Sequence, residues 1–376
     1  MFTQIPRRAW LRQASLAALG LGLSRGLSRG QTAPTPALEP PPPEGKHINL
    51  AGNENPFGPS PVVARAILRA SPQSCRYPFR EEEVLKQMIA KKEGVPEENI
   101  VLGNGCDEIL SLAGLVYAKK GHNIITSRPT YQQLWEYAEK FHAEIGAVNH
   151  KTGTMQHDLH AMAAAADNRT SLVYICNPDN PSGTMVDKAE LTAFCRDLAP
   201  RCAIFIDEVY LELVDDFPAQ TQVQLVRDGL PIIVGRSFSK MHGLAGHRIG
   251  YAVTTKAIAE KLEHYKMSSL NYIGVAAARA SLLDEDFHKF SMRKIREGRD
   301  RFCKLLTELG LSYTPSVGNF VFYQSKIPIR DYQAKMKERG FLVGRPFENY
   351  PDWCRISIGT DEEMAKYAVA MREVHA

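Results

Sequence analysis

The feature that most constrains this chain is a recurrence of short, apolar, β-rich runs separated by stretches with helical spacing. The runs fall at Asn123–Ser127, Glu144–Val148, Ser171–Cys176, Ala203–Asp207, Pro231–Arg236 and Ile249–Val253. Helical patterns cover Asp107–Ala118, Tyr131–Phe141, Lys188–Leu198 and Ile258–Met267. Strands that alternate with helices form a mostly parallel sheet covered by helices, because parallel neighbours need a crossover between them. Ligands in such sheets gather at the carboxyl ends of the strands, and there this sequence turns polar and specific.

From about Tyr272 the texture changes. A long charged helix spans Asp286–Leu309, an apolar run covers Asn319–Tyr323, a helix lies near Ile329–Arg339, and a strand at Trp353–Ile358 precedes a closing helix. This predicts a large domain at 76–270 and a smaller α+β domain at 271–376, with the N-terminal segment 47–75 packing against the smaller one. No internal repeat is visible.

The first residues read as an address. Arg7-Arg8, then one residue, then Trp10 and Leu11, precede an apolar run from Ala14 to Leu23. Ten apolar residues after a basic head are too few to span a bilayer, which takes roughly 20, but they suit an export signal. The paired arginines resemble the twin-arginine signal, which predicts a leader at 1–33 and export of the folded protein to the periplasm through the twin-arginine machinery. Residues 34–46, with prolines at 40–43, read as an extended Pro-rich linker.

Charge excludes one class of partner. Lys+Arg 46 against Asp+Glu 42 leaves +4, part of it in the leader, so the body carries no electrostatic footprint for nucleic acid. The 7 cysteines are odd in number and scattered, with no CxxC and no histidine at partner spacing, so neither a disulfide framework nor a metal site is predicted.

The chemistry concentrates at strand ends. Ser237-Phe238-Ser239-Lys240 follows one strand, with Gly243-Leu244-Ala245-Gly246 and Arg248 beyond it. A lysine between hydroxyls, with a cation eight residues on, suits a phosphorylated carbonyl compound. The amine can form a Schiff base while hydroxyls and guanidinium hold the anion. Asn177-Pro178-Asp179-Asn180-Pro181-Ser182-Gly183-Thr184 follows another strand, and Ile206-Asp207-Glu208-Val209-Tyr210 ends a third. Gly103-Asn104-Gly105-Cys106-Asp107 lies between an apolar run and a helix, where backbone N–H groups and the positive helix end can face an anion. Taken alone, Gly103-x-Gly105 is a turn, Asp207 a strand-end acid and Arg355 half of an ion pair.

Taken in order, Asn180, Asp207, Tyr210, Lys240 and Arg248 resemble the pyridoxal-phosphate enzymes of the aspartate aminotransferase fold, and within them the histidinol-phosphate aminotransferase family. The similarity runs from Asn53-Glu54-Asn55-Pro56 to Arg355-Ile356-Ser357-Ile358-Gly359-Thr360. It implies fold type I: a mostly parallel seven-stranded sheet between helices, plus a smaller α+β domain. It also implies pyridoxal 5'-phosphate as cofactor, with Lys240 as its Schiff-base lysine and proton carrier and Asp207 at the ring nitrogen. Asn180 and Tyr210 then serve the phenolic oxygen, and Tyr131 stacks on the ring. The phosphate falls to Gly105, Cys106, Asp107, Ser237, Ser239 and Arg248. Tyr77 reaches the neighbouring subunit's phosphate, which makes a homodimer with shared sites, and Arg355 grips the substrate carboxylate.

The expected reaction is transamination from an amino acid, or a metabolite bearing one, to a 2-oxo acid. Histidinol phosphate is one alternative donor and the glutamyl group of a siderophore such as pyoverdine is another. Export and the placement of Arg345, one position later than in the biosynthetic enzymes, both weigh against the first. Elimination or racemisation on the same fold, and a binding or sensing protein that has lost catalysis, are the competing classes. The retained Asp207, Lys240 and Arg355 argue against the latter.

Overall fold

The computed structural model describes residues 47–376, so the expected leader and linker lie outside the described residues. The chain opens with β1 (Ile48–Asn49), which pairs in parallel with β10 (Phe341–Leu342). The main sheet contains β2 (Ile100–Gly103), β3 (Asn123–Arg128), β4 (Glu144–Asn149), β5 (Thr170–Cys176), β6 (Ala203–Asp207), β7 (Ile232–Ser237) and β8 (Gly250–Thr254). Its order is β2-β8-β7-β6-β5-β3-β4. Only β8 runs antiparallel to its neighbours, and the other adjacent pairs are parallel. The six predicted runs are strands here. The seventh, β2, is four residues long, too short for its apolar run to declare itself as a strand.

Side chains alternate across a strand, and the sheet is buried on both faces. Ile204 and Ile206 of β6 enter one apolar cluster, and Phe205 enters the other. Helices Pro61–Ala70, Phe79–Glu93, Lys188–Leu198 and Tyr272–Leu282 cover the first face, and Cys106–Tyr117, Gln133–Lys140 and Lys256–His264 cover the second. The first two of these helices had no counterpart in the sequence reading. Tyr272–Leu282, expected with the smaller domain, packs Val275, Ala277 and Ala278 into the first cluster together with Val63. The segment 47–75 is therefore divided: Leu50 enters the third cluster, but Val63 does not.

That third cluster joins helices Glu285–Glu308, Ile329–Glu338 and Asp361–His375 to an antiparallel pair, β9 (Phe320–Gln324) and β11 (Trp353–Ser357). Three buried tyrosine hydroxyls, of Tyr323, Tyr332 and Tyr367, bond one another within it at 2.8–3.2 Å, so none is left unpaired. The closing helix starts at a capping box, with Thr360 and Glu363 each bonding the other's backbone N–H.

Candidate active site

The carboxyl ends of β5, β6 and β7 open onto a cavity of about 410 Å³, within the ~300–1,000 Å³ of small-molecule sites. Asp207, the last residue of β6, is only 2 % exposed at its base. Its carboxylate accepts from the Val209 N–H at 3.2 Å and from the Tyr174 hydroxyl at 3.3 Å. Burial outweighs those bonds and raises its pKa to about 7. Among the described residues no cationic side chain lies within ion-pair distance of it. A buried carboxylate without a counter-ion is complementary to a cation brought from outside.

Lys240 follows β7 in the loop 238–244, and its Nζ donates to the Gly52 carbonyl at 3.4 Å. Burial, helped by the nearby Arg355, lowers its pKa to about 8. Its Nζ stands 5.4 Å from the centre of the Tyr210 ring. The Tyr210 hydroxyl accepts from Asn53 Nδ2 at 3.0 Å and Asn180 Nδ2 at 3.4 Å, and its ring packs edge-on against Phe320. Asn180 in turn accepts from Arg355 Nη1 at 2.6 Å, while Arg355 Nη2 donates to the Ala51 carbonyl at 2.6 Å. Arg355, near the middle of β11, is thereby held rigid with its remaining surface on the cavity.

The other end of the cavity is built for an anion. Gly105, with φ 79°, caps helix Cys106–Tyr117, so the helix opens toward the Arg248 guanidinium. A Cβ at residue 105 would collide with that guanidinium. Arg248 Nη2 donates to Asp107 at 2.7 Å, and the Tyr131 hydroxyl donates to the other Asp107 oxygen at 2.8 Å. Ser237 and Ser239 line the same end, the Ser239 N–H donating to Ser237 Oγ at 3.1 Å. Burial pushes the Cys106 thiol pKa well up, which leaves the backbone of this loop as its polar surface.

Cys106, Asp107, Tyr131, Asn180, Asp207, Tyr210, Ser237, Ser239, Lys240, Arg248 and Arg355 all line this cavity. Gly105 stands one residue behind the wall. Tyr77 does not reach the cavity: it is 75 % exposed and stacks on Phe79 with ring centres 5.5 Å apart. Tyr131 precedes helix Gln133–Lys140 rather than opening it, and its hydroxyl is committed to Asp107. His242 lies away from the cavity, between Ser281 Oγ at 2.8 Å and Glu212 at 3.3 Å. Sequence reasoning did not single out Asn53 as a site residue. Its N–H donates to Ser357 Oγ at 2.7 Å and its φ of 52° turns the chain inward; the polar Asn53-Glu54-Asn55 run was the available signal. Arg345 also lines the cavity, its guanidinium carbon 4.7 Å from the Phe347 ring centre, with that of Arg355 5.8 Å from the same ring.

Comparison with known proteins places this geometry. The profile of the family described as aminotransferase class I and II matches residues 45–371. Histidinol-phosphate aminotransferase of Moorella thermoacetica is 36% identical over 333 residues, 88% of this chain and 86% of that protein. The enzyme of the same name from Brevibacillus brevis is 35% identical over 87% of this chain and 90% of its own length. Among solved structures, histidinol-phosphate aminotransferase from Sinorhizobium meliloti, in complex with pyridoxal-5'-phosphate, superposes with TM-score 0.78 at 30% identity, covering 88% of this chain and 90% of that one. A Thermus thermophilus aspartate aminotransferase double mutant, at 20% identity and TM-score 0.77, shares the fold.

Proposed function

This chain belongs to the class I and II aminotransferase family, and from that premise we infer that its cavity moves an amino group from an amino acid, or a metabolite bearing one, to a 2-oxo acid. It is a pyridoxal 5'-phosphate-dependent aminotransferase. The residues fit the cofactor: a buried acid lacking a cation, a lysine of lowered pKa and an anion-binding helix end share one cavity. That juxtaposition carries the reading.

When bound, the cofactor supplies an electrophilic carbonyl and a ring that accepts electrons from the substrate's α-carbon. In our reading Asp207 would keep a proton on the ring nitrogen, and Asn180 with Tyr210 would donate to the phenolic oxygen. Tyr131 covers one ring face. The N–H groups of residues 105–107, Ser237, Ser239 and Arg248 would hold the cofactor's phosphate. Lys240 would hold the cofactor's carbonyl carbon, and its Nζ, of lowered pKa, would be the group placed to hold or pass a proton at the substrate's α-carbon. Arg355, clamped by Asn180 and the Ala51 carbonyl, orients the α-carboxylate. The guanidinium carbons of Arg345 and Arg355 lie 4.7 and 5.8 Å from the Phe347 ring centre, and two cations on the cavity favour donors with a second anionic group. Histidinol phosphate is the second reading, favoured by the names of the relatives at 36% and 35% identity.

A donor screen on the protein lacking residues 1–33 tests this. Glutamate, histidinol phosphate, aromatic amino acids and a glutamyl-bearing siderophore precursor are each mixed with the loaded enzyme and a 2-oxo acid. Loss of the visible cofactor band and a keto product from at least one donor are expected; no product from any donor would sink transamination. We further propose a homodimer with shared sites and export in folded form, supported by the exposed Tyr77–Phe79 pair and by Arg7-Arg8 before the apolar run. Replacing Arg7 and Arg8 with lysine should retain the protein in the cytoplasmic fraction; unchanged periplasmic recovery would refute twin-arginine export.

A further inference from the structure

Behind the cavity wall lies a second cluster of titratable groups that the proposed reaction does not use. It sits at the carboxyl ends of three adjacent parallel strands, β5, β3 and β4. His150 directly follows β4, Asp179 lies three residues beyond β5, and Ser127 near the end of β3 supports His157. We propose that His150, His157 and Asp179 form a binding site for a divalent transition cation, with Zn²⁺ the best match to its donors, separate from the cofactor cavity.

The geometry carries this. One ligand atom from each of the three residues lies within 4.8 Å of the others. His150 Nε2 is 3.9 Å from one Asp179 oxygen, and His157 Nε2 is 3.7 Å from the other. Tetrahedral zinc, with bonds of about 2.0–2.2 Å to nitrogen and oxygen, needs ligand atoms roughly 3.4 Å apart, so the three residues, whose ligand atoms lie within 4.8 Å of one another, must draw in by as much as about an ångström on binding. The two imidazole rings stand nearly perpendicular, at 84° with centres 5.2 Å apart, so they approach from different directions.

His150 is the second, independent observation. It is 9 % exposed, and neither ring nitrogen has a hydrogen-bond partner. An unpaired buried polar group costs roughly 1–3 kcal/mol, so such a ring calls for an explanation. The supporting contacts also suit a metal. His157 Nδ1 lies 2.8 Å from Ser127 Oγ, which fixes the ring plane. Asp179 accepts from Thr130 Oγ1 at 2.7 Å and from Ser182 through its hydroxyl at 2.7 Å and its N–H at 3.2 Å. His157 Nε2 faces the Cys176 carbonyl at 2.7 Å; for this nitrogen to coordinate, that contact must open and the ring proton must sit on Nδ1, where it donates to Ser127 Oγ. Because Thr130 precedes Tyr131 and Asp179 precedes Asn180, an ion here braces two residues of the cavity wall.

The test uses the loaded holoenzyme, equilibrated with ZnCl₂, dialysed against metal-free buffer and assayed for metal. About one Zn²⁺ per chain is expected, with retention falling tenfold or more in His150→Phe. X-ray absorption at the zinc edge should report nitrogen and oxygen ligands with two imidazoles and no sulfur. The proposal is overturned if the wild-type enzyme keeps less than about a tenth of an equivalent, if His150→Phe keeps as much as wild type, or if sulfur dominates the ligand shell. Should His150→Phe fail to fold by circular dichroism, the wild-type stoichiometry and ligand spectrum decide the matter alone.

Discussion

Asp207 and Lys240 titrate in opposite directions for one reason: burial penalises whichever form is charged, so the acid rises to about 7 and the amine falls to about 8. Only a neutral amine attacks a carbonyl, so capture of the cofactor by apoprotein should follow a titration centred near pH 8, against the ordinary lysine value of 10.5. Stopped-flow absorbance at several pH values measures it; a midpoint above 10 would contradict the environment described here. Lys240→Ala should abolish turnover while leaving the chain folded. The acid makes a stability prediction. At Asp207 the folded apoprotein keeps a proton that the unfolded chain has lost between pH 3.8 and about 7, so this group's contribution to stability falls as pH rises through that window, by an upper bound of about 4 kcal/mol, while the half-buried His288, with its pKa lowered to about 4, acts in the opposite sense. Urea unfolding of wild-type and Asp207→Asn apoprotein at pH 5 and pH 8 isolates this group: the wild type should lose more stability, or gain less, than the variant between the two pH values, and the cofactor should oppose that loss by giving the carboxylate a cation. The identities of these two residues and of Arg355 were legible because each stands at a recognisable strand or motif. Asn53 was not, since its role depends on a turn 157 residues away from Tyr210.

At the scale of elements, the site depends on where strands stop and one helix starts. Residue 105, at φ 79° and ψ 165°, lies in a backbone region essentially confined to glycine, which costs a residue with a Cβ roughly 1–3 kcal/mol, and that Cβ would meet the Arg248 guanidinium. Gly105→Ala should therefore weaken cofactor affinity at least tenfold and lower the unfolding temperature, with the helix itself retained; unchanged affinity by fluorescence titration would show that the loop is not the anion site. The strands were readable because buried parallel strands are continuously apolar and bounded by polar punctuation. Helices Pro61–Ala70 and Phe79–Glu93 were less so. Phe79–Glu93 is rich in charge and buries only Leu85, Ile89, Ala90 and Glu93. Pro61–Ala70 has a proline start and a Ser60 cap, but it lies in a segment whose partner, Tyr272–Leu282, is some 200 residues on.

For the molecule as a whole, the cavity is assembled from distant parts: the N-terminal turn at 51–54, the ends of β5 to β7, and β11. The exposed Tyr77–Phe79 stack is an apolar surface left uncovered among the described residues. Sedimentation of the leader-deleted protein should give a dimer, and Tyr77→Ala should weaken cofactor binding in it; a monomer with full affinity would refute the shared site. By itself the sequence determined the fold class and the chemical inventory, because apolar periodicity and strand-end residue types are local properties of the chain. Only the tertiary structure decided that Asn180 clamps Arg355 across 175 residues, that Asn53 joins Tyr210, and that His150, His157 and Asp179 converge. Those contacts depend on strand order and packing, which bring together side chains whose separation along the chain carries no periodic trace.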